Sequence, residues 1–243
     1  MNRRIFVAGA TGAIGRRLVP LLVKAGDRVL AISRSDERAR AAREQGAEIV
    51  VADIFDRSAV VSALASFRPD IVMHQLTDLS GLSDPATVAD ALRRNARIRA
   101  EGTRNLVDAA LAANVGHLIA QSIAWVYAPG PTPHAESDPL DTNAEEPRLT
   151  TIRGVVALED AVLHSPPIKG AVLRYGQLYG PGTGRDAPAS TATMPLHVDA
   201  AAYAALLAIE HAASGIFNVA EPNAEIRTDR ARSELKWRDD MRC

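Results

Sequence analysis

The sequence predicts a doubly wound α/β fold built on a parallel sheet, and three observations carry that prediction. Short apolar runs alternate with amphipathic runs of helical length from one end of the chain to the other. The first, Arg4-Ile5-Phe6-Val7-Ala8, opens directly onto three glycines, Gly9, Gly12 and Gly15, ahead of a helical pattern with Leu18, Leu21 and Leu22. A chain of 243 residues that is 47% hydrophobic has enough apolar surface for one full core.

The glycine spacing has a physical reason. Gly9 permits the sharp turn off the strand, Gly12 leaves no side chain where a pyrophosphate approaches, and Gly15 lets the helix lie against the sheet. Unbonded N–H groups at the helix start, reinforced by the helix dipole, then meet phosphate oxygens. The loop of Gly9, Thr11, Gly12, Ala13, Ile14 and Gly15 is therefore expected to bind a dinucleotide. Its sequence, Gly-Ala-Thr-Gly-Ala-Ile-Gly, resembles the cofactor loop of the extended and atypical short-chain dehydrogenases/reductases, which include nucleotide-sugar epimerases and dehydratases. The resemblance implies a Rossmann-type sheet with a nicotinamide cofactor. The whole chain, 1–243, reads as one such domain with a reduced C-terminal substrate region, formed by about 128–150 and 176–243.

The first helix, Ala13 to Ala25, contains Pro20, which cannot bond the Arg16 carbonyl and is expected to bend the helix. The second strand, Arg28 to Ile32, ends in Ser33-Arg34. An acidic residue at that place would hold a ribose hydroxyl, whereas a hydroxyl and a guanidinium suit a 2′-phosphate. NADP is therefore favoured, with NAD as the alternative, and Arg38, Arg40 and Arg43 leave open an ordinary basic helix face. The third strand, Glu48 to Ala52, delivers Asp53 and Ile54, which in the family hold adenine; Asp53 reads equally as a turn acceptor. Asp56 is expected to cap a helix through Phe67. The fourth strand ends at His74, read as structural, before Gln75 and Leu76, whose backbone in similar proteins lines the cofactor's ribose and pyrophosphate. Asp84-Pro85 is expected to start a helix running to Ala113. Its Arg93, Arg94, Arg97, Arg99 and Arg104 read as a solvated face, or as a subunit contact that would make a homodimer.

The fifth strand delivers Gln121-Ser122-Ile123-Ala124-Trp125-Val126-Tyr127, which resembles the family's Ser-Ser-x-x-Val-Tyr-Gly. The family's hydroxyl position falls on Ile123, so Ser122, one residue earlier, faces the other way on a regular strand. The catalytic helix of the family carries Tyr-x-x-x-Lys. Pro147 and Glu159 fix the register, placing Thr151 and Val155 at those two positions. Threonine is too weak an acid for the tyrosine's role and valine brings no charge. Tyr127, Tyr175, Tyr179 and His134 are the candidate substitute donors, and Ser122 with Tyr127, both leaving the carboxyl end of the fifth strand, is the leading pair. Arg174-Tyr175-Gly176-Gln177-Leu178-Tyr179-Gly180-Pro181-Gly182 resembles the epimerase-like Arg-Tyr-x-Asn-x-Tyr-Gly-Pro-Gly. The resemblance places Tyr175 beside the cofactor and Gln177, Tyr179 and the loop residue His134 beside the substrate. Asp199 is expected to cap the next helix.

The charge balance, 28 basic against 29 acidic side chains, does not suggest a polyanionic partner such as nucleic acid. Cys243 is the lone cysteine, which excludes an intramolecular disulfide and suggests a reducing cytoplasm. No apolar run spans a bilayer, and no metal-ligand spacing occurs. The functional expectation is an NAD(P)-dependent oxidoreductase or epimerase-like enzyme acting on a small carbonyl or hydroxyl substrate. The alternative is a dinucleotide-binding sensor that kept the fold and lost the chemistry.

Overall fold

The computed structural model describes residues 2–81 and 84–243. Strands β1 (Arg4–Ala8), β2 (Arg28–Ser33) and β3 (Glu48–Val51) alternate with helices α1 (Gly15–Lys24), α2 (Asp36–Glu44) and α3 (Arg57–Phe67). Strand β4 (Ile71–His74), helices α4 (Val88–Arg97) and α5 (Thr103–Ala112), strand β5 (His117–Ile123) and helix α6 (Arg148–Leu163) follow. The chain closes with β6 (Lys169–Tyr175), β7 (Gln177–Tyr179), β8 (Pro195–His197), α7 (Val198–Glu210), β9 (Gly215–Val219) and α8 (Asp229–Glu234). Seven strands form a parallel sheet in the order β3-β2-β1-β4-β5-β6-β9, and β7 pairs with β8 in a small separate sheet. The order reverses between β1 and β4, which opens a crevice at the carboxyl edge there.

Strand alternation sends side chains into two cores. Ile5 and Val7 face Leu18 and Leu22 of α1 and the alanine-rich α7; Phe6 and Ala8 face α3, α5 and α6 through Val60, Leu106 and Leu158. Helix α7 and strand β9 belong to these principal layers, so 176–243 is not a separate substrate lobe. Pro20 does not end α1; Gln45 Nε2 donates to the Arg16 carbonyl it leaves free, at 3.2 Å. Asp56 caps α3 as expected, accepting from Ala59 N–H at 3.0 Å.

Three expectations need correction. The helix after β4 starts at Val88, because Asp84 spends its carboxylate on Ala86 N–H in a preceding turn. The run to Ala113 is also not one α-helix: Ile98–Gly102 forms a π-helical turn between α4 and α5. Helix α7 is capped by His197, whose Nδ1 accepts from Asp199 N–H, while Asp199 pairs with Arg17 of α1 at 3.0 Å.

His74 is fully buried and structural. Its Nδ1 accepts from Leu76 N–H, which leaves the ring proton on Nε2 for Thr103 Oγ1 at 2.9 Å. No helix among the described residues is long and apolar enough to cross a membrane.

Candidate active site

A groove runs along the carboxyl edge from the β2–β3 end to the β5–β6 end, and the glycine loop sits at its middle. Gly9 has φ +96°, and a Cβ there would overlap the Gln75 carbonyl; a Cβ on Gly15 would overlap the Gly9 oxygen. Those two glycines serve the fold. Gly12 differs, since its Cβ would meet Gly9 O only at an ordinary 3.4 Å and otherwise open space. The Ala13 and Ile14 N–H groups, at the start of α1, make no hydrogen bond among the described residues. A cradle bare of side chains beside unbonded N–H donors fits a pyrophosphate.

Toward β2, Ser33 donates its hydroxyl to Ser35 O at 2.9 Å, while the exposed Arg34 and Arg38 line the groove without an ion-pair partner among the described residues. Asp53 lines the same end and accepts Phe55 N–H at 2.9 Å, so the turn-acceptor role is present beside the groove. Ile54, Gln75 and Leu76 complete this end.

Toward β5 the groove widens into a cavity of about 560 Å³ that shares Gly12, Gln75 and Thr77 with the first part. Gln75 and Tyr175 reach it with buried polar atoms, and no hydrogen bond of normal geometry satisfies them. Burial pushes the Tyr175 phenol above the usual tyrosine range, and the nearby Gln75 only moderates the shift. Thr151 lines the cavity, whereas Val155 is fully buried among Ile123, Val126 and Ile152. Thr151 thus offers the cavity a weak hydroxyl, and Val155 makes apolar contacts.

The chain does not bring Ser122 and Tyr127 to one pocket. Ser122 borders the cavity, but its hydroxyl donates to Glu159 Oε1 at 2.8 Å. Glu159 also takes two hydrogen bonds from Arg174, from Nε at 2.9 Å and Nη2 at 2.6 Å. Tyr127 lies beyond this pair, accepting from Arg174 Nη1 and donating to Asn218 Oδ1 at 2.6 Å. Burial raises its pKa despite the adjacent Arg174 cation. The Tyr127 hydroxyl is thus engaged on both sides, and the residue does not line the cavity.

The three substrate-side expectations fare similarly. His134 stacks on Tyr127 with ring centroids 4.9 Å apart and bonds Asp138, away from the cavity. Gln177 accepts from Met194 N–H at 3.0 Å, and Tyr179 donates to Glu221 at 2.7 Å. Both occupy the same face of β7; alternation turns Leu178 between them into the cavity instead.

Sequence reasoning missed Arg99, Asn95 and Trp125, all of which line the cavity. Arg99, expected on a solvated face or at a subunit contact, is 5% exposed. Leu92, Asn95 and Arg99 stand at i, i+3 and i+7, one helical stripe, and that spacing was the available signal. The basic neighbours Arg93, Arg94 and Arg97 masked it.

Comparison with known proteins agrees with this geometry. The model of the NAD dependent epimerase/dehydratase family matches residues 5–207. The chain is 43% identical over 237 residues to a 3-diazoavenalumate denitrifying reductase from a Streptomyces species, covering 90% of this chain and 76% of that one. It is 33% identical over 183 residues to dTDP-4-dehydrorhamnose reductase of Streptomyces griseus, of which it spans 51%. Among solved structures, a UDP-glucose 4-epimerase of Thermotoga maritima with UDP-glucose superposes with a TM-score of 0.78 at 18% identity, covering 98% of this chain and 94% of that one. WbmG of Bordetella bronchiseptica in complex with NAD and UDP gives 0.74 at 18%, covering 100% and 91%. The structural likenesses concern the fold. The glycine cradle, the crevice at the strand reversal and the family match together make this chain a member of the NAD dependent epimerase/dehydratase family, an NAD(P)-dependent oxidoreductase or epimerase-like enzyme of the short-chain dehydrogenase/reductase superfamily.

Proposed function

We propose that the chain is an NADPH-dependent reductase whose substrate takes up hydride without a proton from a tyrosine–lysine pair. The observation that carries this reading is Thr151 in the cavity wall with Val155 buried behind it, where a proton relay would stand. Arg34 and Arg38, exposed at the adenosine end without ion-pair partners among the described residues, support NADP over NAD.

The bound reduced nicotinamide would supply the hydride. The protein's own contribution is positional. The Gly12 cradle and the Ala13 and Ile14 N–H groups hold the pyrophosphate, and Gln75 and Tyr175 border the reacting end. Leu178, Trp125 and Leu92 keep water from it. An alkoxide formed here would meet only the Tyr175 hydroxyl, which burial makes a weaker acid than an ordinary phenol and which no lysine cation assists. An arenediazonium group would need no acid: the hydride neutralises the cationic group, the carbon–nitrogen bond breaks, a carbon–hydrogen bond forms and dinitrogen departs with no enzymic proton. The Streptomyces relative, by its name, reduces a diazo acid with loss of nitrogen, and the same class of acceptor is proposed for this chain.

The test is NADPH oxidation with an arenediazonium salt, with evolved nitrogen measured, beside a panel of aldehydes and ketones. Enzyme-dependent consumption of one NADPH per dinitrogen is expected, absent in Gly12→Val. Thr151→Ala should keep turnover within about threefold, since removing a true general acid costs about 10²–10⁴. Turnover confined to the carbonyl panel, or a collapse in Thr151→Ala, would overturn the reading.

A further inference from the structure

Arg99 is a buried charge with nothing to answer it. It projects from the π-turn into the cavity and makes no hydrogen bond or ion pair with any described residue. Burial draws its pKa down to about 10, so it stays protonated at neutral pH. Glu159, the anion whose charge acts on Arg99, is already bound by Arg174 and Ser122. His74, also within Arg99's field, is held neutral by burial. The buried group Arg99, Arg174 and Glu159 therefore carries one uncompensated positive charge. The cavity lining does not cancel it: Arg185 adds a second cation at the rim, and no acidic side chain lines the cavity among the described residues.

A buried ion without a partner is costly, and proteins keep one where a ligand completes it. The cofactor's phosphates belong at the glycine loop, so the counter-ion must come with the other ligand. We infer that the substrate is a carboxylic acid whose carboxylate seats on the Arg99 guanidinium, with its conjugated body along the apolar wall of Leu79, Leu92, Trp125 and Leu178. The guanidinium fork matches a carboxylate with two parallel hydrogen bonds. Asn95, one turn earlier on the same stripe, adds donors: its Oδ1 accepts Asp78 N–H at 3.3 Å, and its Nδ2 has no protein acceptor among the described residues. This rests on reading the cavity as the substrate site. It also fixes the substrate's orientation, with the acid at the floor and the reacting group toward Gln75 and Tyr175.

The probes are trans-cinnamate and methyl trans-cinnamate, titrated calorimetrically into the protein with and without saturating NADP⁺. Wild type is expected to bind the acid about ten- to a hundredfold more tightly than the ester, the range for a charge-assisted pair. Arg99→Met should equalise the two by weakening the acid alone, and Arg99→Lys should keep part of the preference. Melting temperature and NADPH affinity of each variant certify its fold. Equal binding of acid and ester to wild type, no binding of either, or a preference surviving in Arg99→Met would each overturn the proposal. Should both variants fail to fold, the wild-type acid-to-ester ratio still decides. Failure of wild type to bind NADPH would instead strike the reductase reading and leave this comparison standing.

Discussion

The two ends of the groove are built differently. The cofactor end is a matter of backbone: a strand, a tight turn, a helix start and three residues with no side chain, all within Arg4 to Gly15. The cavity end is a matter of side chains from β5, α6, β6 and α4, held by Glu159, Arg174, Tyr127 and Asn218 across long stretches of chain. A backbone device has few solutions and so retains its form; a side-chain device can exchange each member separately. On that contrast the glycine cradle keeps its form while the cavity wall can exchange single side chains, such as those at Thr151 and Val155.

The comparison can be broken first at Gly12. If the cradle is separable from the fold, Gly12→Val should abolish NADPH binding in calorimetry while the melting temperature stays near wild type, since a Cβ there meets no close neighbour. A collapsed melting temperature would show that Gly12, like Gly9 and Gly15, serves the architecture.

The cavity end is tested at its centre. Glu159→Ala leaves Arg174 buried without its carboxylate and should cost about 3–5 kcal/mol in urea unfolding. A loss under about 1 kcal/mol, the range of a surface pair, would mean that the network does not hold the cavity together.

Acid reaches the same interior by another route. His74 has a folded pKa of about 4 against 6.5 in the unfolded chain, because burial and the Arg99 cation disfavour its charged form. Below pH 6.5 the unfolded chain takes up a proton that the folded one refuses until about pH 4. Stability is thus full above pH 6.5 and falls by about 3 kcal/mol as pH drops to 4. Denaturant titrations from pH 7.5 to 4.5 should show this loss, and His74→Gln should remove that share of it. An identical pH profile in the variant would clear His74.

The smallest effect sharpens the cofactor end. Arg34→Ala should weaken NADPH by about ten- to a hundredfold, the value of about 1.5–3 kcal/mol for a charge-assisted contact, and leave NADH almost unchanged. Equal losses for both would show that Arg34 does not read the 2′-phosphate.

What could be read in advance follows the same division. The glycine loop, the alternation of strands and helices and the Asp56 cap are local patterns, and each is written within a few neighbouring residues. Tyr127 and Tyr179 misled because their partners, Asn218 and Glu221, stand 91 and 42 residues away. Nothing near either tyrosine announces that its hydroxyl is already taken. Arg99 was hidden by company, one arginine among several on a run whose neighbours are solvated, and by a backbone irregularity that no residue type advertises.

That irregularity decides more than a local bond pattern. A π-turn holds one residue more than α-helical phasing allows, and each residue advances the helix by about 100°. Helix α4 packs on α6, while α5 packs on α3 as well as on α6, so the two halves of the run face different sets of neighbours. The additional residue within Ile98–Gly102 lets both stripes be met. Removing one residue there would force a choice: α5 turns out of its layer, or Arg99 turns out of the cavity. The charge a ligand meets is then set partly by chain length, so among related chains a one-residue gap at this turn would mark a change of substrate as clearly as an altered side chain would.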